Sequence, residues 1–247
     1  MRLTDRVGVV GGGGLGYGLT SLYDCNVYVL DGGGTFALID AGSGIEPERL
    51  LVQLAADGIA PERVALLLLT HGHADHAGGA AALRERLGGG RLEIAAPAAT
   101  AAMVESADEE ATSLAAARAA GTYPDWYRLR PCPVDRIVRP RGTIAVGDLT
   151  LAVVGAPGHS SDMVCYYCPE LKALFAADAV FEGGRLAVID TPDFSMDDYR
   201  ETIEALARLD VGRLFPGHGR ALTTGGGEPI AAARERFRQS LPPLSIV

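Results

Sequence analysis

The chain has five histidines, and three of them fall within six residues in Thr70-His71-Gly72-His73-Ala74-Asp75-His76-Ala77-Gly78-Gly79. With Asp75 this makes four potential ligands in one short stretch. Neutral imidazole and carboxylate are good ligands for zinc and similar divalent ions. Two imidazoles one residue apart, His71 and His73, can reach one ion from a bent loop. Asp75 and His76 then point elsewhere and can reach a second ion. Gly72, Gly78 and Gly79 permit the sharp backbone path this requires.

The segments around these residues strengthen the reading. His71 follows the apolar run Val64-Ala65-Leu66-Leu67-Leu68-Leu69, and His159 follows Leu149–Val154 and the breaker Ala156-Pro157-Gly158. Asp178 follows Ala173-Leu174-Phe175-Ala176-Ala177, and His218 follows Leu214-Phe215 and Pro216-Gly217. Each candidate therefore sits just past the C-terminal end of an expected strand, on a loop. Strand-end loops on a rigid scaffold are where functional sites form.

Further strands are expected at Val7–Val10, Val27–Leu30, Phe36–Ile39, Leu92–Ala95, Thr143–Val154, Met163–Cys168, Ala173–Ala177 and Arg213–Phe215. Asp31-Gly32-Gly33-Gly34 reads as a hairpin turn. Helices are expected near Glu46–Asp57, Asp75–Leu87, Met196–Leu209 and Pro229–Gln239, with alanine-rich helices across Pro97–Ala120. Two β-rich halves with helices attached suggest sheets packed within helical layers in a single domain over residues 1–247. The stretch at about 97–141, with Tyr123, Trp126 and Tyr127, reads as a helical lid or insert that lends aromatic side chains to the site.

Composition narrows the function classes. The 247 residues are 48% hydrophobic and 21% charged, which excludes a disordered chain. The net charge of -9 argues against a nucleic-acid partner, because phosphate binding draws on clustered Lys and Arg. No apolar run is long enough for a transmembrane helix, and residues 1–22 hold no continuous apolar segment of a secretory signal. Four scattered cysteines read as packed free thiols suited to a reducing cytoplasm. Cys165 and Cys168 form a C-x-x-C, but no second pair completes a zinc site. Gly11-Gly12-Gly13-Gly14-Leu15-Gly16 satisfies G-x-G-x-x-G, yet Tyr17–Asn26 leaves little room for the helix a dinucleotide site needs. It reads as a loop, and over a metal centre it would bring Tyr23, Asp24 and Asn26 near a substrate.

H-x-H-x-D-H, a distant G-H, an Asp and a second G-H together resemble the metallo-β-lactamase fold superfamily of metallohydrolases. The resemblance runs from about Asn26 to Arg220. It implies an α/β protein with a four-layer αββα sandwich and a dinuclear site along one edge. Carried over by position, His71, His73 and His159 would hold the first metal. Asp75, His76 and His218 would hold the second, and Asp178 would bridge both. The family's usual metal is zinc, so two Zn2+ are expected, with iron and manganese as its other metals. A metal lowers the pKa of bound water to about 7, giving a nucleophile at neutral pH. The implied reaction is cleavage of an ester, thioester or lactone by a metal-bound hydroxide. Asp75 would pass a proton to the leaving group, and Thr70 is a candidate hydrogen-bonding partner behind the ligands.

The segment from Leu174 to Arg185 is similar to the region around the bridging Asp in glyoxalase II-like thioesterases. Several acyl-homoserine lactonases carry tyrosine where this chain has Phe181, which weakens the lactonase alternative. After His218 there is room for about one helix, less than the C-terminal domain by which glyoxalase II holds glutathione. Persulfide dioxygenases share a very similar first motif but use one iron, a second alternative. Phe181, Arg185, Tyr123 and Trp126 are the expected substrate contacts for a small molecule; an Arg can clamp a substrate carboxylate in bidentate fashion. A homodimer is compatible with all of this. The ligand assignment predicts that His73→Ala lowers both metal content and hydrolysis. Elemental analysis and a turnover assay check it, and unchanged values for both would remove His73 from the ligand set.

Overall fold

Short runs of β-branched and leucine residues bounded by glycines form the strands of this protein, and the loops that follow them carry its polar chemistry. The computed structural model describes residues 1–87 and 91–247. They divide into two compact units, Met1–Val138 with Val146–Asp148, and Arg139–Ala145 with Leu149–Val247.

The first unit is built on a six-stranded sheet: β1 (Val7–Gly11), β2 (Val27–Asp31), β3 (Phe36–Ile39), β4 (Val64–Leu68), β5 (Glu93–Pro97) and β6 (Arg136–Val138), in that spatial order. β1, β2 and β3 pair antiparallel, whereas β3, β4, β5 and β6 run parallel. The expected hairpin joins β2 to β3. Asp31 Oδ1 accepts from the N–H groups of Gly33 and Gly34 at 3.0 and 2.9 Å, and both glycines have positive φ. β4 reads Val-Ala-Leu-Leu-Leu without alternation, as a strand flanked on both sides by parallel neighbours does.

Helices cross between the parallel strands. α1 (Pro47–Ala56) opens on a proline and buries Leu50 and Leu54, one turn apart. These pack with Val29, Leu38, Leu67 and Ile94 of the sheet, Leu83 of α3 (Ala80–Arg86), and Ala101 and Val104 of α4 (Ala98–Ser106). α5 (Leu114–Ala119) inserts Leu114 beside Ala74 and Tyr127. The stretch expected as a helical lid thus contains two helices, a loop and the edge strand β6. That strand is three residues long, too short for a periodic signal.

The second unit carries a five-stranded sheet in the order β11 (Arg213–Pro216), β10 (Ala173–Ala177), β9 (Val164–Cys168), β8 (Leu149–Gly155) and β7 (Thr143–Val146). β9 is antiparallel to both β8 and β10, and β10 is parallel to β11. α6 (Met196–Leu206) makes the crossover. Ser195 caps it by accepting from the Asp198 N–H, and Asp197 and Asp198 complement its N-terminal dipole. Its buried residues Tyr199, Thr202, Ile203 and Leu206 follow the helical period, and Tyr199, Ile203 and Leu206 pack with Leu174, Ala176, and Ile230 and Ala233 of α7 (Gly227–Arg238). All four cysteines are buried free thiols, two of them in β9.

The β region expected over Thr143–Val154 holds two strands, turned at Gly147, whose φ is 57°. One expectation needs correction. The helix expected over Asp75–Leu87 is broken into α2 (Ala74–Ala77) and α3, with Gly78-Gly79 between them. The cause is close packing. A Cβ on Gly79 would lie 2.1 Å from the Ala41 carbonyl oxygen, and one on Gly78 would lie 2.3 Å from the Tyr127 hydroxyl. Both contacts are with fixed groups, so Gly79→Ala should lower stability by about 1–3 kcal/mol, read from urea unfolding. A change within about 0.5 kcal/mol would mean the backbone yields there without cost.

Candidate metal-ligand clusters

In the first unit the strand-end rule places a carboxylate that sequence reasoning missed. Asp40 follows β3 directly, at a left-handed φ of 64° that Asp tolerates better than most residues. It is buried, and its Oδ1 accepts from Thr70 N at 2.8 Å. Its Oδ2 accepts from Thr70 Oγ1 at 2.9 Å and lies 2.8 Å from His76 Nδ1. The Thr70 hydroxyl, having given its proton to Asp40, stands 3.0 Å from His71 Nδ1 as an acceptor. One carboxylate thereby orients two imidazoles, directly for His76 and through Thr70 for His71. In both rings the proton sits on Nδ1 and the lone pair on Nε2, the form a metal ligand needs. Thr70 is therefore the supporting hydrogen-bonding group that its position after β4 suggested. The signal for Asp40 lay in the sequence too: Ile39-Asp40-Ala41-Gly42 has the same strand–polar–glycine form as the histidine loops.

The three imidazoles pack closely. The His71 ring centroid is 4.7 Å from that of His73 and 4.1 Å from that of His76, and His76 Nε2 is 3.5 Å from Asp75 Oδ2. His71 and His76 are fully buried. Cys25 lies against this cluster, with a ligand atom within 4.8 Å of Asp40 and His76. Burial pushes its thiol up to about 12, opposed by the neighbouring His76, so it stays a neutral thiol at physiological pH.

The glycine-rich loop 12–24 supports the cluster from below. It folds back on itself, with Gly13 N–H donating to Asp24 O at 2.9 Å and Gly14 N–H to Leu22 O at 3.0 Å. No helix follows the glycines, so the setting of a dinucleotide fingerprint is missing. The Asp24 carboxylate accepts from Ser43 N at 2.7 Å, Ser43 Oγ at 2.5 Å and Ser21 N at 3.1 Å. Burial raises its pKa against the pull of these donors. Asn26 is buried and bonds to the Tyr28 hydroxyl. Asp24 and Asn26 are thus buried anchors within the fold. The Cys25 N–H donates to Asp75 O at 3.2 Å, so the loop also holds α2.

In the second unit, His159 follows β8, Asp178 follows β10 and His218 follows β11; all three are buried. Parallel pairing of β10 with β11 sets the last two loops side by side, with Gly217 N–H donating to Ala177 O at 2.6 Å. Asp178 Oδ2 lies 3.5 Å from His159 Nε2 and 3.4 Å from His218 Nε2. His159 Nδ1 lies 3.1 Å from the Ala187 carbonyl oxygen, which again leaves the lone pair on Nε2. A carboxylate oxygen facing two imidazole nitrogens is the geometry of a shared ligand. In each unit the donor set is mostly buried and nitrogen- and oxygen-based, with His71, His76 and His159 held in the ligating tautomer, and it fits a divalent ion.

The remaining predicted residues are placed as follows. Phe181 is buried, its ring centroid 6.3 Å from that of His218. Arg185 is exposed, and its carbonyl accepts from the Phe181 N–H. Tyr123 stacks between Tyr23 at 5.2 Å and Tyr127 at 5.3 Å. Burial raises the hydroxyl pKa of Tyr123 and of Tyr127, and the Asp75 charge adds to both shifts. Tyr127 Oη donates to Ser43 O at 2.6 Å, and the Trp126 indole is exposed.

The family profile of the metallo-beta-lactamase superfamily matches residues 21–218. An atrochrysone carboxyl ACP thioesterase of Aspergillus fumigatus is 28% identical over 218 residues, covering 88% of this chain and 57% of its own length. The chain thus spans little more than half of that relative. A hydroxyacylglutathione hydrolase of Anaeromyxobacter dehalogenans is 33% identical over 141 residues, covering 57% of this chain and 41% of its own. Among solved structures, a subclass B3 metallo-beta-lactamase of Bradyrhizobium japonicum superposes with a TM-score of 0.70 at 20% identity, over 97% of this chain and 92% of that one. A protein designated TTHA1623, in a di-iron-bound form, superposes with a TM-score of 0.65 at 30% identity, over 83% of this chain and 92% of that one. The expected metallo-β-lactamase fold is the fold of this chain.

The Asp40 network predicts that Asp40→Asn, nearly equal in volume, lowers metal affinity by about 10–100-fold, read by chelator competition. Its amide has one acceptor oxygen, so it cannot accept from the Thr70 N–H and also serve the Thr70 hydroxyl and His76. Unaltered affinity would show that the imidazoles hold their orientation without it.

Proposed function

Because this chain belongs to the metallo-β-lactamase superfamily, we propose that it is a metal-dependent hydrolase whose substrate is a thioester. The observation that carries the reading is that every histidine in the chain lies past a strand end, four on loops and His76 in the short helix α2, and that all five are buried near carboxylates. The family pattern assigns His71, His73 and His159 to one divalent ion and Asp75, His76 and His218 to a second, with Asp178 shared. We take the ions to be zinc; the donor set equally suits iron or manganese, and the di-iron-bound relative supports iron as the second choice. When bound, such ions supply a nucleophile from water at neutral pH and polarise a carbonyl.

The chain's own groups do the rest. Asp40 and Thr70 hold His71 and His76 with Nε2 forward. Asp75, the most solvent-exposed of the first cluster's carboxylates, is the group we assign to carry a proton toward the leaving atom. A thiol leaving group has a pKa near 8.5, so it departs as thiolate with little help. That suits a site whose neighbouring phenols and thiol are all held neutral by burial. Phe181, Arg185, Tyr123 and Trp126 are proposed to contact the substrate, and the 97–141 stretch to act as the lid that carries two of them.

Thioester is preferred over ester or lactone because of the two curated relatives. One is named for an acyl carrier protein thioesterase and the other for hydrolysis of an acylated glutathione. Their carriers differ, and the shared chemistry is the acyl–sulfur bond. We place the protein in the cytoplasm, on the strength of four buried free thiols. Among the described residues no helix is long and apolar enough to cross a membrane.

The test is elemental analysis of the purified protein, followed by S-acyl, O-acyl and lactone substrates with thiol release followed by absorbance. The expected outcome is about two divalent ions per chain and chelator-sensitive release of thiol. About one iron with oxygen uptake on a persulfide would replace this reading with a dioxygenase.

A further inference from the structure

In the second unit, two of the ligand residues are joined by a group that is not itself a ligand. Tyr199, on α6, is fully buried in an apolar cluster with Leu174, Ile203 and Leu206. Its hydroxyl donates to the backbone carbonyl of Asp178. The same hydroxyl accepts from the Ala187 N–H at 3.2 Å. The carbonyl of that Ala187 is the one that faces His159 Nδ1 at 3.1 Å. A single phenol thus links the peptide carrying Asp178 to the residue that fixes the tautomer and direction of His159.

The surroundings hold this arrangement from two more directions. Gly158, next to His159, has a φ of 135°, and a Cβ there would lie 2.5 Å from Tyr199 Cα. Only a glycine lets the His159 loop sit this close to α6. The Ala187 stretch is also tied to the last residues of the chain. Leu186 N–H donates to Leu244 O at 2.8 Å, and Ile246 N–H donates to Leu186 O at 3.0 Å. Ser245 Oγ accepts from Val188 N at 3.4 Å. Residues 244–246 therefore run as a short parallel strap along Leu186.

We propose that Tyr199 is a positioning residue for His159 and Asp178, with the 244–246 strap holding the Ala187 stretch against its hydroxyl. Tyr199 touches no reacting atom. Its hydroxyl holds the backbone from which Asp178 projects and the Ala187 residue whose carbonyl directs His159, and so determines how well their Nε2 and Oδ2 atoms can share one divalent ion. This inference rests on the proposed role of His159 and Asp178 as ligands. Its logic is that an outer hydrogen-bonding partner tunes affinity by restricting a ligand's direction. The phenyl ring of a Tyr199→Phe variant keeps the apolar packing and removes only the hydroxyl.

The experiment compares wild type, Tyr199→Phe and a chain ending at Pro243. Zinc affinity is measured by competition with a chromophoric chelator, and the visible absorption of the cobalt-substituted protein and the thermal midpoint of the metal-free protein are recorded alongside. Tyr199→Phe is expected to weaken zinc binding by about 10–100-fold and to alter the cobalt spectrum. The shortened chain is expected to show a smaller loss in the same direction. A merely structural role would lower the metal-free midpoint and leave affinity and spectrum as in wild type; that result overturns the proposal. Should Tyr199→Phe not fold, unchanged affinity in the shortened chain overturns it instead. A wild type that takes up no divalent ion defeats the metal reading itself, whereas a wild type that binds zinc no better than Tyr199→Phe defeats this inference alone.

Discussion

A buried imidazole offers its lone pair in a set direction only when its other nitrogen gives a proton to an oxygen that cannot move. Both units of this protein are organised around that constraint. In the first, the fixed oxygens are the Asp40 carboxylate and the Thr70 hydroxyl. In the second, the oxygen is the Ala187 carbonyl. Asp40 and Thr70 lie just past β3 and β4, so the first sheet sets the directions of those rings, whereas the Ala187 stretch is held by Tyr199 and residues 244–246. The histidines carry the donor atoms, and the scaffold oxygens decide which nitrogen keeps its lone pair and where it points.

The price of this arrangement appears as close backbone contacts. Asp40 occupies a left-handed conformation so that its carboxylate can meet Thr70 and His76 together. Gly79 and Gly158 lie where any side chain would collide with a neighbouring segment. Such positions cost conformational freedom in the unfolded chain and strain in the folded one. They persist here beside the polar clusters, where two segments must approach closely enough for a carbonyl or carboxylate to reach a ring nitrogen.

Burial also sets the electrostatics around the first cluster. Cys25, Tyr123 and Tyr127 are all pushed upward by desolvation, so none contributes a negative charge at neutral pH. The carboxylates of this region are Asp24, Asp40 and Asp75. Asp40 and Asp24 are tied down by donors, whereas the Asp75 side chain is partly open to solvent. This division separates the carboxylates that hold the scaffold from the one whose side chain reaches solvent.

Much of this was legible in the sequence. The H-x-H-x-D-H stretch, the strand-end positions of His159, Asp178 and His218, and the strands at Val27–Asp31, Val64–Leu68 and Ala173–Ala177 follow from local pattern alone, because ligand type and apolar runs are local properties. The break at Gly78-Gly79 and the inward turn of Asp24 and Asn26 were not legible, since each answers to a segment distant in the chain: Ala41, Ser43 and Tyr28. Asp40 had a local signature, but its role required knowing that β3 and β4 lie side by side. Tyr199 had none, because a tyrosine on the buried stripe of a helix reads as core. Only tertiary packing brought its hydroxyl to the backbone of Asp178 and Ala187, and hydrogen bonds between backbone groups far apart in sequence leave no trace in residue type.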